Sequence, residues 1–80
     1  MDATVRYFAG ARAAAGVAEE SVPAGLTRDD LVGVLTDRHG ERLAVVLKAA
    51  SFLLDGVTWR GETTLQVGAT VDVLPPFAGG

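Results

Sequence analysis

Alternating apolar and polar positions predict a β-strand near the start of the chain. Within residues 3–8, Val5 and Tyr7 alternate with Thr4 and Arg6. Side chains on a strand point to opposite faces with a period of two, so the segment has one apolar face to bury.

A short helical connection and a second strand are predicted next. Residues 9–15 are rich in alanine, and Gly16 supplies a stop after them. Residues 18–22 form a shorter strand-like segment, after which Pro23 and Gly25 interrupt regular pairing.

The main helix is predicted between Thr27 and Gly40. The Thr27 hydroxyl can cap the first amides, and two acids in the first turn suit the positive end of the helix dipole. Leu31 and Leu35 follow at helical spacing and form a stripe that must pack on a sheet. Residues 41–50 repeat the apolar pattern more weakly, as either a second short helix or a packed loop.

A two-residue hairpin is the sharpest turn signal in the sequence. Asp55-Gly56 separates two strand-like segments, residues 51–54 and 57–59, as a type I′ turn does. A last strand is predicted over residues 70–74. Strands around one main helix, with too few helical residues to cover both sheet faces, indicate an α+β fold with the helix on one face.

Composition favours one small globular domain, residues 1–80, of which 49% are hydrophobic and 21% charged. The sequence contains no cysteine, which excludes thiol chemistry and thiolate metal sites and suits the reducing cytoplasm. No segment approaches the roughly 20 apolar residues of a membrane span. We therefore expect a cytoplasmic protein without a membrane partner.

Charge and isolated polar residues exclude further classes. A net charge of −3 with scattered basic residues argues against a nucleic-acid partner. His39 is the only histidine and is expected to interact with carbonyls at the helix end. The acid pairs Glu19-Glu20 and Asp29-Asp30 diverge and are expected to be solvated. Without a phosphate-binding glycine motif, no bound cofactor or metal is expected.

The segment after the last strand carries the most specific signal. Leu74 is followed by Pro75-Pro76, then Phe77-Ala78, then Gly79-Gly80. Proline favours an extended path, and diglycine is the slimmest peptide that can enter a narrow channel. The tail, residues 75–80, is expected to be flexible and to present the Gly80 carboxylate. Phe77 is expected to anchor a partner protein.

These features resemble the ubiquitin-like sulfur carriers of the MoaD/ThiS type, and among them the small subunits of molybdopterin synthase. The resemblance spans the whole chain, and its specific part is the ending. It is carried by Val5-Arg6-Tyr7-Phe8-Ala9 with Arg12 and Gly16, by Leu31 and Leu35, by Leu54-Asp55-Gly56, and by the run from Val73 to Gly80.

The resemblance implies a ubiquitin-like β-grasp fold, with a mixed sheet packed on one main helix. It also implies that an ATP-dependent adenylating and sulfurtransferase enzyme activates the Gly80 carboxylate, with Gly79 beside it, and converts it to a thiocarboxylate. The sulfur then passes to a pterin precursor held by a large synthase subunit, which supplies the catalysis. Phe8, Leu74 and the tail residues 75–78 are expected to bind that partner.

Two alternatives remain open from the sequence. The same carrier chemistry could serve thiamine, cysteine or another thio-metabolite. The chain could instead be a ubiquitin-like modifier or binding module whose diglycine forms amide bonds to lysines.

Overall fold

The computed structural model describes residues 1–61 and 63–76, and over these ranges the chain forms five strands and three helices. In chain order they are β1 (Asp2–Tyr7), α1 (Ala9–Ala15), β2 (Glu19–Pro23), α2 (Arg28–His39), α3 (Glu41–Ala49), β3 (Ser51–Leu54), β4 (Val57–Thr58) and β5 (Thr70–Leu74). The segment after Gly40, left open by the sequence, is therefore a helix.

The strands form one mixed sheet in the order β2-β1-β5-β3-β4. β1 and β5 are parallel, whereas the other neighbouring strands are antiparallel. The first and last strands of the domain thus lie side by side at the centre of the sheet. This arrangement confirms the predicted α+β class and β-grasp fold.

The predicted two-residue hairpin joins β3 to β4. Leu54 pairs with Val57, and Asp55 and Gly56 between them have φ angles of 48° and 85°. Positive φ at both positions defines a type I′ turn. Thr70 fastens this turn to β5, because its N–H donates to Asp55 Oδ1 over 2.9 Å and its carbonyl accepts from the Asp55 N–H over 2.8 Å.

The hydrophobic core lies on one face of the sheet, under the three helices. The sheet contributes alternate residues, and the helices contribute one or two apolar residues per element. The largest fully buried side chains are Phe52, Leu31, Leu35, Leu43, Leu65, Val5, Val22, Val71 and Val73. Burying each such side chain contributes about 1.5–3 kcal/mol. Trp59 also belongs to the core and is only 4% exposed.

The ends of α2 follow the sequence signals. Thr27 and Asp30 form a capping box, in which Thr27 Oγ1 accepts the Asp30 N–H over 3.0 Å and Asp30 Oδ2 accepts the Thr27 N–H over 3.2 Å. Gly40 ends α2 and also precedes α3, with φ 85° and ψ −165°. The two helices therefore meet at a single residue.

Candidate functional site

The ends of β1 and β5 bring two predicted partner-binding residues to the same edge of the sheet. Arg6 pairs with Asp72 and Tyr7 with Val73, so Phe8 and Leu74 continue these two parallel strands in register. The Phe8 N–H donates to the Val73 carbonyl over 3.3 Å. We call the strand ends at Phe8 and Leu74 the tail edge, because the tail begins there.

The two tail-edge side chains lie on the sheet face that the helices leave open. Val71 and Val73 are buried, whereas Asp72 and Leu74 alternate with them and are half-buried. Phe8 is 38% exposed, whereas the other described aromatic side chains, Tyr7, Phe52 and Trp59, are buried. Exposed aromatic and aliphatic residues that adjoin one another are typical of a protein-binding surface.

Val17 adds an apolar residue at this edge that the sequence analysis did not select. The Tyr7 N–H donates to the Ala18 carbonyl over 2.8 Å, so Val17 comes just beyond the last pairing of β1 with β2. Its side chain is 41% exposed. The antiparallel register of the two strands is the only signal that could have found it, and this register is not visible in a local pattern.

Of the tail, the structure describes Pro75 and Pro76. Pro75 is half-buried and Pro76 is exposed. Phe77 and the residues 78–80 lie outside the described part of the chain. Of the residues expected to bind the partner, Phe8, Leu74, Pro75 and Pro76 are therefore described, and their roles stay predictions.

A charged row crosses the open face next to the tail edge. Arg6 on β1 donates from Nε to Asp72 Oδ1 over 2.7 Å and from Nη2 to Asp72 Oδ2 over 3.0 Å. This hydrogen bonding is the main reason that the pKa of Arg6 is raised. On the other side, Glu19 of β2 pairs with Arg6 in the strand register. The guanidinium carbon of Arg6 also lies 5.6 Å from the centre of the Phe8 ring.

The open face contains a shallow polar depression rather than an enclosed cavity. It is lined by Thr4, Arg6, Glu19, Asp55, Gly56, Thr70 and Asp72. Small-molecule sites are usually enclosed and mostly apolar. The surface is therefore better suited to contact with a protein than to holding a substrate.

A second charged cluster lies on the helix side of the sheet, around Glu20 of β2. Glu20 Oε2 accepts a hydrogen bond from the buried Tyr7 hydroxyl and lies 2.5 Å from His39 Nε2. Arg38 Nη1 donates to Glu20 Oε1 over 2.9 Å and to the Ser21 carbonyl over 2.7 Å. The cluster ties the end of α2 to β1 and β2.

The environment of Glu20 shifts two pKa values. Desolvation alone would raise the pKa of Glu20, but the hydrogen bonds from Tyr7, His39 and Arg38 together outweigh it, and the pKa is lowered. Burial, and then the hydrogen bond to Glu20, raise the pKa of Tyr7. The cluster is therefore an ionised carboxylate held by a neutral phenol and by basic side chains.

Two expectations about isolated polar residues need correction. The described partner of His39 is the Glu20 carboxylate, not a helix-terminal carbonyl. Glu19 is solvated as expected, but Glu20 is half-buried. Adjacent residues on a strand point to opposite faces, so one acid faces solvent and the other faces the helix layer.

Other kinds of site can be addressed only for the described residues. Among residues 1–61 and 63–76, no group of three or more His, Cys, Asp or Glu side chains could hold a metal ion. Within the same ranges, no helix is both long and apolar enough to cross a membrane.

The fold, the paired ends of β1 and β5, and the diglycine sequence define a ubiquitin-like protein of the MoaD/ThiS type. The sequence model of the ThiS family matches residues 5–80, so the chain belongs to the ThiS family. No curated protein matches the chain significantly by sequence.

Solved structures with the same fold come from archaea and bacteria. A Pyrococcus furiosus protein provisionally described as molybdopterin converting factor subunit 1 is 26% identical, with a TM-score of 0.77, covering 96% of this chain and 99% of that one. Small archaeal modifier protein 1 from Methanosarcina acetivorans is 26% identical, with a TM-score of 0.82 and coverages of 99% and 96%.

A third similar structure contains two subunits. It is the complex of subunits 1 and 2 of the molybdopterin-converting factor from Helicobacter pylori, and the matched chain is 23% identical, with a TM-score of 0.74 and 100% coverage of both chains. At this identity the similarity establishes the fold.

Proposed function

We propose that this chain is a sulfur carrier whose Gly80 carboxylate becomes a thiocarboxylate, and that it serves molybdenum cofactor biosynthesis. The observation that carries the proposal is the ThiS family match, which runs through residue 80 and so includes the diglycine. The proposal requires that Gly80 ends the mature chain.

The chemistry explains why such a carrier needs an activating partner. A terminal carboxylate has a pKa near 3.5 and is ionised and unreactive at neutral pH. Adenylation by an ATP-dependent enzyme joins AMP to the Gly80 carboxyl group and releases pyrophosphate. A persulfide sulfur then displaces AMP, and cleavage of the resulting acyl disulfide by a thiol leaves the thiocarboxylate. All of these steps are catalysed by the partner.

The tail edge suggests how the carrier would be recognised. Phe8 and Leu74 lie at adjacent strand ends, and Leu74 is followed directly by Pro75. A partner that covers this edge would hold the domain while the tail, residues 75–80, enters its active site. In this arrangement the folded domain binds the partner, and the slim terminus carries the reactive group into the active site.

The proposed pathway is supported by the residues before the diglycine and by two of the similar structures. Pro75-Pro76 before the diglycine favours the molybdopterin branch, and two of the similar structures are described as subunits of the molybdopterin converting factor. The proposed partner is therefore the large subunit of that factor. If the gene for this chain lies beside genes for thiamine or cysteine synthesis, and not beside one for the large subunit, the carrier would be assigned to that other pathway.

Intact mass spectrometry of the protein purified from its own host tests the carrier proposal. We expect a fraction whose mass exceeds the unmodified chain by the replacement of one oxygen with sulfur. Fragmentation should place that change at Gly80. The same mass shift at an internal residue, or its absence in cells that are actively making the cofactor, would contradict the proposal.

A second candidate function is protein modification. It is favoured by the similarity to small archaeal modifier protein 1, which has the higher TM-score, 0.82, of the two structures with 26% identity. A modifier would form an isopeptide bond between Gly80 and a lysine of another protein. Because Arg60 is the last tryptic site in the chain, tryptic peptides of host proteins should then carry residues 61–80 on lysine, and deletion of Gly80 should remove those peptides.

A further inference from the structure

Arg6 makes two kinds of contact at the tail edge with one side chain. Its guanidinium forms a two-pronged ion pair with Asp72 on the neighbouring strand, over 2.7 and 3.0 Å. The same group lies 5.6 Å from the centre of the Phe8 ring. Phe8 follows Arg6 by two residues, and Leu74 follows Asp72 by two. The ion pair and the apolar pair therefore lie on the same face of the sheet, next to each other along the strands.

The sheet has sources of stability besides this ion pair. β1 and β5 are already joined by a parallel ladder, and Val5, Val71 and Val73 are completely buried beneath it. The Arg6 side chain is 48% exposed and that of Asp72 is 15% exposed, so solvent reaches the pair from the arginine side and weakens its contribution to folding. The contact with Phe8 is likewise at the surface. Its effect should therefore be local.

We propose that Arg6 is a positioning residue for partner recognition. It ties β5 to β1 two residues before the tail and supports the Phe8 ring, so that Phe8 and Leu74 meet the partner as one preformed surface. A side chain that is already ordered loses less conformational entropy on binding. The inference deepens the proposed function and rests on it only for the partner, the large subunit of the molybdopterin converting factor.

Arg6→Gln and Asp72→Asn test this role, with Arg38→Gln as the matched control. Arg38 also pairs with a carboxylate, that of Glu20, but on the helix side of the sheet. Calorimetric titration of the large subunit from the same organism should give a Kd about fivefold higher for Arg6→Gln and Asp72→Asn. The Kd of Arg38→Gln should stay within about twofold of the wild type.

A second measurement does not depend on the partner. In the free protein, three-bond NMR couplings should show one χ1 rotamer for Phe8 in the wild type and in Arg38→Gln, and averaging in Arg6→Gln. If the wild type does not bind the large subunit, the pathway assignment fails and these couplings alone decide the role of Arg6. Unchanged Phe8 couplings in Arg6→Gln would overturn the inference. An unchanged Kd for Arg6→Gln would also overturn it. So would a rise in Kd that is fully explained by loss of folded protein, which a lowered Tm of the variant would reveal.

Discussion

At the scale of single residues, the Glu20 carboxylate contacts three polar side chains on the helix side of the sheet. It accepts from the Tyr7 hydroxyl and from Arg38, and it contacts His39. A group that compensates several buried or half-buried donors is costly to remove, because each donor loses its partner at the same time. Its neighbour Glu19 faces solvent and makes no comparable set of contacts in the described structure.

Glu20→Gln should lower the free energy of unfolding by about 1–3 kcal/mol, because a neutral amide replaces a charged acceptor of several hydrogen bonds. Urea denaturation at neutral pH measures this change. Glu19→Gln is the matched control and should change stability by less than about 0.5 kcal/mol. Equal effects of the two substitutions would contradict the role of the cluster.

The stabilising effect of Glu20 should also depend on pH. Its pKa is lowered in the folded protein, so as the pH falls the unfolded chain takes up the proton first and stability decreases. The contribution is complete above the ordinary glutamate pKa of 4.5 and is lost as the pH falls through the lower folded-state value. We expect the stability gap between wild type and Glu20→Gln to narrow as the pH falls below the ordinary glutamate pKa of 4.5. A gap that is constant over this range would disprove the linkage.

At the scale of secondary-structure elements, the junction between α2 and α3 depends on one backbone conformation. Gly40 has φ 85° and ψ −165°, a combination that is essentially restricted to glycine. A Cβ at this position would meet no atom within 4 Å. Any cost of a larger residue therefore comes from the backbone itself.

Gly40→Ala should destabilise the protein by about 1–3 kcal/mol, because alanine disfavours this backbone region. Gly33→Ala is a matched control within α2, where a Cβ also meets nothing within 4 Å but the backbone is helical. That substitution should raise stability by about 0.5–1 kcal/mol. Thermal unfolding of the two variants should thus shift in opposite directions, and a shift in the same direction would refute the explanation.

The elements could be predicted from sequence because their signals are local. The alternation around Val5, the cap at Thr27 and the turn at Asp55-Gly56 each lie within a few residues, and each appears in the structure. The parallel pairing of β1 with β5 joins segments that are far apart in the chain, so no local pattern predicts it.

The polar contacts could not be predicted, because they join distant positions. Arg6 and Asp72 are 66 residues apart, and Glu20 meets Arg38 and His39 across 18 and 19 residues. No periodicity relates such positions, so Glu20 is indistinguishable from Glu19 in the sequence. In the candidate site, Phe8 and Leu74 were selected from the sequence. Val17 was not selected, and Arg6 was given no supporting role.

At the scale of the whole molecule, the proposed chemistry and the stability of the domain should be separable. Deleting Gly80 should abolish thiocarboxylate formation, because the adenylating enzyme would meet Gly79 one residue short of its position. The Tm should be nearly unchanged, since glycine has no side chain to bury. Mass spectrometry and thermal unfolding of the same preparation measure both effects. A large fall in Tm would instead assign the end of the chain a structural role.

Phe77→Ala should weaken binding to the large subunit by about tenfold or more, as expected when an aromatic contact worth about 1.4 kcal/mol or more is lost. Adenylation should be affected less, because that step depends chiefly on Gly79-Gly80. Val67→Ala is a suitable control, since Val67 is 60% exposed but precedes Gly68, which bonds to Asp2 at the opposite end of β1. Calorimetry that gives equal affinities for wild type and Phe77→Ala would remove Phe77 from the interface.

β2 is one of the two edge strands of the sheet, and it limits how another strand can pair with that side of the domain. Ala18 bonds to Tyr7 of β1, so by antiparallel alternation the backbone groups of Glu19, Ser21 and Pro23 point away from the sheet. Proline offers no N–H there, and Arg38 already occupies the Ser21 carbonyl. A strand from another molecule would thus lack one N–H and one carbonyl to pair with along β2, so strand addition at this edge is disfavoured.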